Sequence, residues 1–148
     1  MDVRLTQAEA ERLISALKKA LINTLTAPEK GKTVDFDAKT IYETPSEMFV
    51  ITIFRGRINR DKLSYAARIK IKNTILMELH INPSGKHSNP DGTIIEGSHW
   101  HVYKEGYDNH YAYVAEDVYS NDFAANTLLF FEKFNIIDRP VITDQLEL

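Results

Sequence analysis

The 148-residue sequence contains no cysteine. That absence removes disulfide frameworks, thiolate metal sites and cysteine nucleophiles together. No apolar run approaches the roughly 20 residues that a membrane helix needs, so no membrane segment is expected. Met1–Gln7 is polar and leads straight into an amphipathic pattern, unlike a secretory leader. A cytoplasmic location is the natural expectation. The chain also lacks a glycine-rich phosphate loop, a dinucleotide fingerprint and a Ser-His-Asp signature. Net charge is only −3, so bulk charge does not advertise a nucleic-acid binder.

What is present is an ordinary globular composition, 43% hydrophobic and 26% charged, enough for one domain spanning 1–148 with a real core. The charge is unevenly placed. From Arg55 to Lys72 there are seven basic residues (Arg55, Arg57, Arg60, Lys62, Arg68, Lys70, Lys72) against Asp61. From Glu105 to Leu148 there are nine acids against Lys133 and Arg139. One segment is therefore suited to meet phosphates, unless it is simply a solvated face.

Thr6 and Glu9 form a capping-box pattern, and Ala10, Leu13, Ile14, Leu17, Ala20 and Leu21 follow at helical spacing. A weak strand is expected around Val34–Phe36 and a central one over Phe49–Phe54. Lys62–Lys72 and Ile75–Ile81 alternate apolar and polar residues, with Ile75, Met77, Leu79 and Ile81 inward and Leu76, Glu78 and His80 outward. His99–Tyr103 and Tyr111–Ala115 complete the strands. Ser120–Asp122 starts a final helix with Phe123, Thr127, Phe130, Phe131 and Phe134 on its buried stripe. The expected fold is α+β: an antiparallel sheet of about five strands with an N-terminal and a C-terminal helix packed on one face.

The functional signal lies between His80 and Gly106, which hold four of the five histidines and the single tryptophan. If Trp100 and Val102 face the helices, His99, His101 and Tyr103 occupy the opposite face, with Arg68, Lys70, Glu78 and His80. The competing readings are a merely polar exposed face, or histidines satisfied inside the core. Two Asn-Pro-x-Gly turns, Asn82–Gly85 and Asn89–Gly92, each follow a histidine by two residues. The second brings His87 back over the sheet.

Two chemistries fit. His99 and His101 alternate on one strand face, and with His87 they form a candidate three-histidine metal set, for a divalent ion such as zinc. Asp91 or Glu105 would complete or orient that set. Metal-free RNA cleavage instead needs a base, an acid and a cation. His99, His101, His87, Glu78 and Tyr103 are the candidate catalytic residues, and Arg57, Arg68 and Lys70 the candidate substrate-binding cations. Tyr103 and Trp100 would stack on unpaired bases if exposed.

The pattern His87-x-Asn89-Pro90-Asp91-Gly92 followed by Gly97-x-His99-x-His101-x-Tyr103-x-Glu105-Gly106 resembles that of an uncharacterised family. Its members are small proteins of Gram-positive bacteria and their prophages. The resemblance implies a prophage or mobile-element setting and carries no established activity. The expected architecture is also similar to that of bacterial ribonuclease toxins, by analogy of fold alone. The leading expectation is a small cytoplasmic phosphodiesterase or ribonuclease, toxin-like or related to phage conflict, acting on RNA or another phosphodiester. The alternative is a non-catalytic module, such as an inhibitor, that binds a partner protein and whose histidine loop is structural or metal-stapled. A pH- or metal-dependent clamp without substrate is the third possibility.

Overall fold

In the computed structural model of the chain, which describes residues 4–144, Thr6 caps helix α1 (Gln7–Ser15). Its hydroxyl accepts from the Glu9 amide at 3.1 Å, and the Glu9 carboxylate accepts from the Thr6 amide at 3.3 Å. Residues 1–3 and 145–148, including the end of the acidic C-terminal segment, lie outside the described residues. The helix is shorter than its apolar spacing suggested. Lys18–Ala20 forms strand β1, and Leu17 and Leu21 stand exposed.

Lys18 explains the break. Its buried ammonium donates to the carbonyls of Ile14, Ala16 and Phe134 at 2.9, 2.7 and 2.8 Å. It also lies 4.0 Å from the centre of the Phe134 ring. These carbonyls belong to the C-terminal ends of both long helices, where backbone acceptors lack intrahelical donors and positive charge is favoured.

The remaining elements are β2 (Thr24–Thr26), β3 (Thr33–Thr40), β4 (Met48–Arg55), β5 (Leu63–Ile69), β6 (Ile75–Ile81), β7 (His87–Ser88), β8 (Ile94–Ile95), β9 (His99–Val102), β10 (Ala112–Val114), α2 (Phe123–Lys133), β11 (Ile136–Asp138) and β12 (Val141–Thr143). The main sheet has eight strands in the order β10-β9-β6-β5-β4-β3-β1-β11. It is mixed, because β1 pairs β11 in parallel while its other neighbours are antiparallel. This corrects the expected five-stranded antiparallel sheet flanked by two terminal helices. With 39% strand and 14% helix, the protein is mostly sheet. The difference arises at β1 and β11, three-residue segments too short to show a period of their own. No helix among the described residues is long and apolar enough to cross a membrane.

Helix α2 supplies the core on one sheet face. Phe130 stacks on Tyr65 and Trp100, with ring centres 5.4 and 6.2 Å apart. Phe131 meets Phe36 and Phe134 meets Phe49 edge-on. Tyr65 shares a hydrogen bond of 2.8 Å with Thr127, so its buried hydroxyl is satisfied.

A bulge corrects two expected orientations. Ala67 pairs with Met77 but Arg68 pairs with Ile75, which leaves Leu76 as the extra residue. Leu76 turns inward, fully buried, in place of the half-buried Ile75. Its carbonyl accepts from the Tyr103 amide at 2.8 Å. Tyr103 then enters the core, and its hydroxyl donates to the Leu5 carbonyl at 2.7 Å. Tyr103 is therefore not on the histidine face and cannot serve there.

Candidate metal centre

Antiparallel register builds the site. Glu78 lies opposite His101, and His80 opposite His99, while Leu79 opposes Trp100 on the core side. Strand alternation thus sends one acid and three imidazoles to the face away from α2. Ring centres are 5.1 Å apart for His80 and His99, and 4.9 Å for both His80–His101 and His99–His101. One nitrogen from each ring lies within 4.8 Å of the others. Tetrahedral zinc, roughly 2.0–2.1 Å from each nitrogen, needs them about 3.3 Å apart, so closure by up to about 1.5 Å would seat the ion.

The hydrogen bonds around the rings fix which nitrogens are offered. His99 donates Nδ1–H to the Gly97 carbonyl, and His101 donates Nδ1–H to the Asn109 carbonyl, both at 2.8 Å. A donor on one ring nitrogen leaves a lone pair on the other, so Nε2 of each is a free ligand atom. His80 Nε2 bonds the Glu78 carboxylate at 3.1 Å, leaving its Nδ1. Glu78 is gripped in turn by the side-chain amide of Asn109. This carboxylate–histidine pairing and these carbonyl contacts are the supporting shell that metal-binding histidines use. Gly97 adopts φ +77°, a left-handed conformation natural to glycine, as it presents its carbonyl.

Electrostatics agree. Burial lowers the pKa of His99, against the pull of the Gly97 carbonyl. Burial likewise drives His101 down to about 4, helped by neighbouring His80 and opposed by the Asn109 carbonyl and Glu78. Both shifts favour the neutral ring, the form that ligates a cation. Burial raises the Glu78 carboxyl, but hydrogen bonds from His80 and Asn109 outweigh it and hold the group below its ordinary value.

The sheet face is not open as expected. His99 and His101 are only 3% and 5% exposed, because the β7–β8 hairpin folds over them. Asn89 anchors the hairpin: its side-chain amide donates to the Ala112 carbonyl and accepts from the Ala112 amide, at 3.0 and 2.8 Å. The Asn89–Gly92 turn closes with a Gly92-to-Asn89 backbone bond of 2.8 Å. The sister turn differs, since Asn82 takes φ 51° and donates to the Asp61 carbonyl and to Asn121. His87 hangs from this roof, its ring centre 4.7 Å from His101 and 5.8 Å from His99. Its Nε2 bonds the His110 carbonyl at 2.8 Å. Below lies a cavity of about 460 Å³ lined by Glu78, His80, Pro83, Gly85, Lys86, His87, His99, His101, Asn109 and His110.

The convergent trio is therefore His80, His99 and His101, with His87 beside it rather than within it. The expected cations lie elsewhere. Arg57 packs its stem against Gly31, Arg68 reaches Asn73, and Lys70 pairs with Asp37. None lines the cavity; Lys86 does, ion-paired to Glu96 at 3.1 Å. Asp91 bonds the Thr93 amide and Glu105 the Gln7 amide, so neither orients the histidines. Asn109 carried no recognisable signal in the sequence; its role depends on a turn that only the fold supplies.

Comparison with known families places this site in context. The chain belongs to DUF6978, a family of unknown function, which matches residues 5–136. The matched span takes in the whole histidine cluster and the hairpin above it. No curated protein and no solved structure matches the chain.

Proposed function

We propose that the protein is a divalent-metal-dependent phosphodiesterase, with His80, His99 and His101 as the ligands of a zinc-type ion. The observation that carries this reading is the convergence of one ring nitrogen each from His80, His99 and His101 beside a cavity, with Nδ1 of His99 and of His101 held by backbone carbonyls. Three imidazoles leave one coordination position for water or substrate, the arrangement of catalytic rather than structural zinc. An ion there would polarise a phosphoryl oxygen and lower the pKa of bound water. Hydrolysis adds water across the ester: its OH goes to phosphorus, the P–O bond breaks, and the leaving oxygen gains a proton. His87, on the roof, is the residue to which we assign delivery of that proton. Glu78 holds His80 in place. Lys86 supplies the positive charge nearest the cavity for an anionic substrate.

RNA is the substrate we favour, in the bacterial or prophage setting that the His87–Gly106 pattern suggests. A metal staple within a non-catalytic binding module is the weaker account. β6 and β9 are already hydrogen-bonded neighbours, so an ion across them would tie together little that is loose.

The test is direct. Purified protein loaded with zinc, manganese or cobalt should hydrolyse bis(p-nitrophenyl) phosphate and single-stranded RNA. Chelator and His101→Ala should each abolish both activities. Stoichiometric metal without hydrolysis of either substrate would leave a binding module. Hydrolysis indifferent to chelator would return the site to metal-free acid–base chemistry.

A further inference from the structure

We infer that the substrate is a single-stranded polynucleotide whose flanking phosphates bind a basic rim built by three loops at one end of the sheet. This rests on the phosphodiesterase reading and names its substrate more closely. The loops are residues 29–32 before β3, 56–62 between β4 and β5, and 82–86 after β6. They are physically joined. The Gly31 amide donates to the Arg55 carbonyl at 2.9 Å, and the Arg57 stem lies 3.3 Å from where a Gly31 Cβ would stand. Lys62 Nζ donates to Ser84 Oγ at 2.8 Å, and Asn82 Nδ2 to the Asp61 carbonyl at 2.9 Å. Ser84 adjoins Pro83, Gly85 and Lys86, which form a wall of the histidine cavity. The rim therefore runs without a gap into the site.

Its charge is opposite to that of the chain. These loops carry Lys30, Lys32, Arg57, Arg60, Lys62 and Lys86 against Glu29 and Asp61, with Glu96 paired to Lys86 and Asp144 paired to the neighbouring Arg55, on a protein of net charge −3. Lys30, Lys32 and Arg57 are exposed, and no protein carboxylate among the described residues bonds Arg57, Arg60 or Lys62 through its side chain. Gly56 shapes the middle loop: its amide bonds the Lys62 carbonyl at 2.7 Å, and a Cβ there would sit 2.4 Å from the Asn59 carbonyl. Such a rim attracts a polyanion and fixes its path without reading its sequence. The strand is single, because His99 and His101, 3% and 5% exposed beneath the hairpin, are beyond the reach of a stacked duplex backbone.

The experiment compares wild type with Lys32→Glu/Arg57→Glu/Arg60→Glu, all in full-length metal-loaded protein. The ratio of kcat/KM for a 12-nucleotide oligouridine to that for bis(p-nitrophenyl) phosphate should fall at least tenfold. The log–log salt slope of oligouridine binding should shrink by about two, as expected for three lost single-strand contacts. An unchanged ratio and slope would overturn the rim. Equal cleavage of duplex and single strands would overturn the single-strand claim. If wild type hydrolyses neither substrate, fluorescence anisotropy with labelled oligouridine still decides. Binding lost in the triple variant supports the rim while the phosphodiesterase reading fails. No binding by wild type, or capture of only an acidic protein, defeats the rim itself.

Discussion

Asn109 holds Glu78 through its side-chain amide while its backbone carbonyl takes the Nδ1 proton of His101. One residue thus orients two of the four groups at the centre, one through each kind of atom. Asn109→Ala removes only the first contact. Zinc affinity should then fall on the order of tenfold, the usual effect of losing a supporting contact, with the melt of the metal-free protein little changed. Titration calorimetry with zinc measures it. Unaltered affinity would show that Glu78 needs no holder.

Metal should stabilise the fold by mass action. At 100 times the dissociation constant, zinc should add about 2.7 kcal/mol to the unfolding free energy. Chelator should reverse the gain, and His99→Ala should abolish it. Replacing His87 should diminish it far less, since His87 stands outside the convergent trio. Equal losses from both variants would make His87 a full ligand.

Trp100 and His101 separate core from site along one strand. Trp100 stacks on Phe130 and donates its indole N–H to Asp117 at 3.0 Å. Trp100→Ala should cost on the order of 3–5 kcal/mol in denaturant melts, and His101→Ala much less. Comparable losses would mean that the imidazoles are mainly structural.

Lys18 should leave a signature in alkaline stability. Burial lowers its pKa from 10.5 to about 7, with Glu43 opposing weakly. As pH rises between these values, the folded chain has lost a proton that the unfolded chain still holds. Stability therefore rises from about pH 7 toward pH 10, and is insensitive to this group below pH 7. Lys18→Met should flatten the rise and, by leaving buried carbonyls unpaired, cost on the order of 2–4 kcal/mol at pH 7. A wild-type curve already flat would mean that the three carbonyls hold the ammonium as firmly as water does.

Asn89→Leu should free the hairpin. Two buried hydrogen bonds to Ala112 vanish, and about 2 kcal/mol should go with them. Hydrogen exchange should quicken across residues 87–95 while the β4–β5 amides stay protected. Uniform quickening would show that the hairpin is no separate unit.

Much of this was legible in the sequence where alternation runs long. The shared face of Glu78, His80, His99 and His101 follows from strand parity alone, and so does the burial of Trp100. Parity fails at a bulge, which is why it sends Leu76 and Tyr103 to the wrong side. Helical spacing through Leu17 and Leu21 misled for a different reason. Two residues of apparent stripe cannot outweigh a lysine whose ammonium finds three helix-end carbonyls by leaving the helix. The hairpin roof, the place of Asn109 and the distance of Arg68 and Lys70 from the cavity are tertiary facts. No local period records them.

The bond pair between Asn89 and Ala112 has a consequence for the protein's company as well as its site. β10 is the outermost strand on its side of the sheet, and an unpaired outer strand is a template for another chain's backbone. Here a side-chain amide, donor and acceptor together, occupies the outward N–H and C=O of Ala112 as a further strand would. The anchor that brings His87 over the candidate metal site thus also occupies part of an edge on which another chain's backbone could pair.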